Sequence, residues 1–193
     1  CTGCDWRYAD MMPGPARAVE VWNGDWDGDS GNERSLALLY DWLNQGHRLV
    51  ATAGTDAHGP EPMVGAGFNV VYAETLSEAA ILRAVGRGHL YLSAGPQVEL
   101  SARTPTGDRA LMGDALPAGA AELTVGWAEC PEDAWLQLMA DGRPLAEWRP
   151  GDDGTRAWSL SAGQARWCLV ELRDAQGRML ALTNPIFIGS TPM

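Results

Sequence analysis

Residues 50–60 read VATAGTDAHGP, an apolar, strand-like run that stops on Thr55-Asp56-Ala57-His58-Gly59. An Asp-x-His in extended conformation turns both side chains to one side of the chain, because strand side chains alternate with a period of two. A carboxylate and an imidazole on one face are a usual pair of ligands for a divalent transition metal. The same residues also suit a plain turn with a solvated Asp and a neighbouring His. Where this strand ends in the fold therefore bears on both the architecture and the chemistry.

Working outward, ARAVEVW (16–22) is a short β-rich run that enters the acidic turn NGDWDGDSGNE. Ser30-Gly31-Asn32-Glu33 has capping-box form, and Leu36, Leu39, Tyr40 and Leu43 recur at helical spacing until Gly46 supplies a stop. After the loop at 54–65, GFNVVYA (67–73) reads as a strand. Thr75-Leu76-Ser77-Glu78 is a second capping box, leading Ile81, Leu82 and Val85 to a stop at Gly86/Gly88 before the strand LYLS (90–93). This alternation predicts an α/β layer with parallel strands, whose ligand site lies at the carboxyl ends of the strands. Asp56 and His58 follow one such end. Glu20 and Asn23 stand at another, with Glu20 leaving its strand on the opposite face from Val19 and Val21, so that it serves as a site carboxylate or a solvated edge residue.

Near Gly95-Pro96 the texture changes. From Gln97 onward VELSAR, AELTVGWAE, AWLQLMAD, RAWSLS, RWCLVELRD and MLALTNPIFI follow one another between Pro, Gly and Asp turns. This spacing predicts an immunoglobulin-like β-sandwich over 97–193, after an α/β part over 1–96. Trp127, Trp135, Trp148, Trp158 and Trp167 fall on these strands and read as core or edge packing, with a sugar-binding platform as the sharper alternative.

The 193 residues carry a net charge of −11, and all 14 basic residues are Arg. Such a surface repels phosphate backbones, which argues against nucleic acid as a partner. No apolar run approaches the ~20 residues that cross a bilayer. Cys1 and Cys4 have C-x-x-C spacing without the further ligands of a zinc site, and Cys130 and Cys168 read as buried thiols. Asp25, Asp27 and Asp29 fail as an EF-hand, since Ser30 holds the Gly position and Leu36 the Glu position. His47 and His89 read as local residues beside a helix end and a strand start. There is no nucleophile elbow, P-loop or dinucleotide fingerprint. The chain opens on Cys1 rather than Met, so it is expected to be a piece of a longer protein, and its compartment, cytoplasmic or secreted, is open.

Read in order, AVEVWNG, LNQGHRLVATAGTDAHG, ETLSEAAILRAVGRGHLYLSAGP and the tail ending ALTNPIFI resemble the C-terminal portion of one family. It is the carbaryl-hydrolase-like (CehA/McbA) branch of the polymerase and histidinol phosphatase (PHP) superfamily. The resemblance implies a distorted (β/α)7 barrel with a metal cluster at the strand C-termini. It further implies hydrolysis of phosphoesters, or of carbamates and other esters, by water activated on divalent metals (Zn, Mn or Fe). Asp56 and His58 match the family's last ligand motif and are carried over as metal ligands; Glu20 and Asn23 match a Glu-Val-x-Asn strand and are carried over as pocket residues. The family's opening His-x-His and middle histidines have no counterpart, because the three histidines lie from position 47 onward. The expectation is therefore of a fragment of a metal-dependent hydrolase acting on a small ester or phosphoester. The alternative is a non-catalytic binding or structural module built on a Trp-rich β-sandwich.

Overall fold

The computed structural model describes residues 14–26, 31–59 and 67–189. Cys1, Cys4, Asp27, Asp29, Ser30 and the loop residues 60–65 lie outside the described residues. The first stretch builds β1 (Ala18–Asn23), α1 (Gly31–Asn44), β2 (Val50–Gly54), β3 (Phe68–Val71), α2 (Glu78–Arg87) and β4 (Leu90–Ser93). In α1 the expected apolar stripe is joined by Leu38 and Trp42, and Leu36, Leu39 and Leu43 are buried with them. The cap of α2 sits two residues later than the Thr75 reading: Ser77 is extended and its hydroxyl accepts from Ala80 N–H at 3.4 Å. Gly88, left-handed at φ 77°, closes that helix by donating to the carbonyls of Ala84 and Val85.

The remaining strands are β5 (Gln97–Arg103), β6 (Arg109–Leu111), β7 (Ala115–Leu116), β8 (Ala121–Ala128), β9 (Trp135–Ala140), β10 (Arg143–Trp148), β11 (Gly154–Leu160), β12 (Trp167–Arg173), β13 (Met179–Thr183) and β14 (Ile186–Ile188). A four-stranded sheet, β11-β8-β5-β6, faces an eight-stranded sheet that runs β10-β9-β12-β13-β4-β3, with β14 and β7 attached beside β12. Leu100, Leu123 and Val125 of the small sheet meet Leu136, Leu138, Val170 and Leu172 of the large one in the sandwich core. On the other face of the large sheet, Leu90, Leu92, Met139, Leu169 and Leu182 pack against Leu39, Trp42 and Leu43 of α1 and against Val21, Trp22 and Ala51. The large sheet is thus buried on both sides, which explains why β12 reads as the near-continuous apolar run WCLVEL. At the sandwich edge Trp148 stacks on Trp158, with ring centroids 4.5 Å apart, and Arg156 lies over both rings. These tryptophans are packing.

The β-sandwich matches expectation, and the barrel does not. The described residues hold fourteen strands and two helices, and β1 and β2 form an isolated parallel pair instead of a portion of a (β/α)7, TIM-like barrel. β3 and β4, expected as further parallel strands, pair antiparallel with each other and join the large sheet through β4 and β13. The reason lies at the second edge of β2. Ala51 and Ala53 turn their peptide groups to that edge, and two side-chain amides meet them. Asn184 Oδ1 accepts from Ala51 N–H at 2.7 Å while its Nδ2 donates to Ala51 O and Leu90 O, both at 3.1 Å. Asn69 does the same for Ala53, accepting at 2.9 Å and donating at 2.7 Å. Amides close the edge where a barrel would place another strand.

A half-buried ion network ties α1 to the large sheet. Arg173 reaches Glu33 Oε1 of α1 and Glu171 Oε2 of its own strand, each at 2.6 Å, and Tyr40 of α1 donates its hydroxyl to the other oxygen of Glu171. Burial and the neighbouring Glu171 push the Tyr40 hydroxyl well above the usual phenol range, so it remains a donor. Trp26 Nε1 donates to Glu33 at 2.7 Å, extending the tie to the segment after β1.

Asn184 is fully buried. Replacing it with Leu strands three backbone groups, at about 1–3 kcal/mol each, so Asn184→Leu is expected to lose about 3 kcal/mol or more in urea unfolding. Asn184→Asp is expected to lose at least as much, because a carboxylate cannot donate to Ala51 O or Leu90 O. A change below about 1 kcal/mol for both variants contradicts this role. A pH test comes from Asp174: burial pushes its carboxyl up, but Arg178 Nε at 2.7 Å and the N–H groups of Arg178 and Gln176 outweigh that and hold it below the usual range. The carboxylate therefore stabilises the fold above the ordinary Asp value of about 3.9, and the benefit is lost as pH falls through the lowered folded value. Asp174→Asn is expected to be less stable than wild type at pH 7, with the gap closing in acid.

Candidate functional site

β1 and β2 run parallel with Glu20 opposite Thr52 and Asn23 opposite Gly54, so their C-terminal ends stand side by side. A register shift between Glu20 and Trp22 places Val21 and Trp22 both in the core and leaves Glu20 and Asn23 exposed. Asn23 Nδ2 donates to Glu20 Oε2 at 3.0 Å. The other oxygen lies over Gly54, where a Cβ would come within 2.4 Å of Oε1. Only glycine lets the carboxylate lie across the end of β2.

Beyond Gly54 the chain turns at Asp56, whose φ of 54° is left-handed and costs a non-glycine residue about 1–2 kcal/mol. Gly24 N–H donates to Gly54 O at 2.9 Å, which brings the turn after β1 against the Asp56 side chain. His58 Nδ1 sits 2.6 Å from the backbone carbonyl of Asp56 and 3.5 Å from its Oδ1. A carbonyl oxygen only accepts, so neutral His58 carries its proton on Nδ1 and presents a lone pair at Nε2. The imidazole is 80% exposed, so Nε2 is open to an external group.

Of the four residues read from sequence, Glu20 and Asn23 are joined on β1, Asp56 follows the adjoining end of β2, and His58 is hydrogen-bonded back onto Asp56. The donor types, one imidazole and two carboxylates, suit a divalent transition metal. Their number and placement do not complete a site: the described residues contain no group of three or more His, Cys, Asp or Glu side chains placed to hold an ion. The expectation of a metal-binding chain is corrected accordingly for the described residues taken by themselves. The motif places Asp56 and His58 close together, while Glu20 accepts from Asn23.

Two residues that sequence reading passed over organise this end. Asn32, in the first turn of α1, accepts from Asn23 N–H at 3.0 Å and donates to the carbonyls of Asn23 and Asp25 at 3.3 and 3.1 Å. Asn69 grips Ala53, the residue before Gly54. An Asn just inside a helix start and an Asn in an otherwise apolar strand were the signals available. Elsewhere His89 is bonded to Asp114 at 2.8 Å, and burial pushes the thiols of Cys130 and Cys168 up to about 11 and about 12, which keeps both unreactive. No helix of the described residues is long and apolar enough to cross a membrane. No protein-family model matches the chain, and no curated protein matches it.

Proposed function

We propose that the chain supplies the Glu20, Asn23, Asp56 and His58 face of a hydrolase acting on phosphoesters or related esters and carbamates. In this reading Asp56 and His58 contribute two ligands to a divalent transition metal (Zn, Mn or Fe), and the remaining ligands lie outside the described residues. The observation that carries it is the placing of two polar pairs, Glu20 with Asn23 and Asp56 with His58, at the adjoining C-terminal ends of a parallel strand pair, where α/β folds bind ligands. Such a metal, when bound, supplies a hydroxide near neutral pH. The residues of this chain do the positioning. The Asp56 carbonyl fixes the His58 tautomer so that Nε2 is the free lone pair, and Asn23 holds the Glu20 carboxylate in the room that Gly54 leaves. The lack of a three-ligand group among the described residues favours a second reading, a non-catalytic module in which this end is a solvated turn.

Hydrolysis of p-nitrophenyl phosphate and p-nitrophenyl esters by the full protein separates the two. The hydrolase reading expects activity that is removed by a chelator and restored by Zn, Mn or Fe. It expects Asp56→Ala and His58→Ala to cut kcat/KM by about 100-fold or more, the scale of losing a site group. Gly54→Ala, which leaves all four site residues in the sequence, is expected to lower activity because its Cβ displaces the Glu20 carboxylate, and adding Glu20→Ala to it should cost little more. Full hydrolysis in both the Asp56 and His58 variants, or no hydrolysis by the full protein with any of the metals, overturns the proposal.

A further inference from the structure

Asn23-Gly24 is the one Asn-Gly pair in the chain. An asparagine before glycine is chemically labile in an open chain, because no side chain shields the following nitrogen and glycine takes up the backbone angles that ring closure needs. Gly24 N loses its proton to base and its electron pair attacks Cγ of Asn23; the Cγ–Nδ2 bond breaks and ammonia leaves. Water then opens the resulting succinimide at either carbonyl, giving aspartate or isoaspartate. The other asparagines precede Glu33, Gln45, Val70 and Pro185, where a side chain crowds the nitrogen or, at proline, there is no N–H to lose.

The fold treats the two residues of this pair differently. Asn23 is exposed, whereas Gly24 is buried and left-handed at φ 63°. Ring closure turns the peptide plane between them, and that plane is held at both of its polar atoms. Its N–H, carrying the proton that must be removed, donates to Gly54 O at 2.9 Å. Its carbonyl, that of Asn23, accepts from Asn32 Nδ2 at 3.3 Å. The neighbouring groups are held as well: Asn23 N–H donates to Asn32 Oδ1 at 3.0 Å, and the Gly24 carbonyl accepts from Trp22 Nε1 at 2.9 Å. The reacting side chain is itself engaged, through Asn23 Nδ2 to Glu20 Oε2 at 3.0 Å. β2 and α1 thus hold the reactive peptide from two sides.

We propose that Asn23 is a deamidation site gated by opening of the β1–β2 end: the folded chain preserves the amide, and release of the Asn23–Gly24 peptide from Asn32 and Gly54 lets it convert to aspartate or isoaspartate. The product alters the candidate site irreversibly. Aspartate at this position replaces the donor to Glu20 with an acceptor and sets two carboxylates side by side. Isoaspartate adds a methylene to the main chain, which displaces the end of β1 relative to β2. Both consequences hold whether or not the hydrolase reading does.

Peptide mapping by mass spectrometry during incubation at mildly alkaline pH reads the amide-to-acid mass gain at Asn23, in native protein and in protein unfolded by guanidinium chloride. Hydrogen exchange at Gly24 N–H of the native protein reads the same opening. The unfolded chain is expected to react at Asn23 ahead of its other asparagines. The native protein is expected to react about tenfold or more slowly, by a factor at least as large as the protection of Gly24 N–H. Asn32→Ala, confirmed as folded by circular dichroism, is expected to raise the native rate about fivefold or more and to leave the unfolded rate unchanged. The wild-type comparison stands without the variant. Equal rates in native and unfolded protein, a native rate faster than Gly24 protection permits, or a folded Asn32→Ala protein reacting like wild type overturns the proposal. Absence of the mass gain at Asn23 in the unfolded chain overturns it as well.

Discussion

The Asn184 side chain offers one amide to two strands at once, and most of the architecture around the candidate site follows from that arrangement. Its oxygen and nitrogen satisfy the Ala51 peptide as a neighbouring strand would, while the second N–H reaches Leu90 on β4. A buried peptide group without a partner is expensive, so β2 can end its sheet inside the protein only because this amide is there. Asn69 repeats the device two residues along, at Ala53. Together they convert what would be a strand-to-strand edge into a side-chain seam. The β1–β2 pair is thereby held onto the double-layered β structure without becoming part of its sheet.

That seam also sets the geometry of both ends of the pair. At the C-terminal end, the grip on Ala53 fixes the residue before Gly54, and Gly54 in turn decides where the Glu20 carboxylate can lie. Asn32 performs the matching service for β1, pinning Asn23 to the start of α1, which is itself anchored through Glu33, Arg173, Glu171 and Tyr40. At the N-terminal end, Asn184 and Pro185 line one cleft together with Arg17, Arg48 and Arg87. A polar end carrying carboxylates and imidazole and a basic end carrying guanidinium groups are thus braced by one buried amide.

Much of the local structure was legible in the sequence because local rules govern it. The helical spacing of Leu36, Leu39 and Leu43, the apolar run WCLVEL and the strand LYLS each report burial that the fold realises. The polar residues at the ends of VEVWN and VATAG were legible for the same reason: a carboxylate or histidine where an apolar strand stops is visible without tertiary information. The error lay in the step from strands to sheet. Alternating strands and helices imply parallel pairing only when nothing else closes the strand edges, and an Asn 133 residues downstream of Ala51 closes this one. Nothing in the TNPIF stretch marks its Asn as a strand substitute. Nor does the glycine of TAGTD declare that it exists to make room for Glu20, a contact between residues 34 positions apart.

Hydrogen exchange at the Ala51 and Ala53 amides tests the central claim directly, because each N–H is bonded to a side chain and to no strand. The account predicts that Ala51, bonded to a fully buried amide, exchanges only through global unfolding, while Ala53, bonded at the surface, opens locally and faster. Substituting Asn69 with Ala should then release Ala53 and leave Ala51 protected. Exchange at Ala51 as fast as at an open loop amide, or equal release of both in the Asn69 variant, would contradict the account.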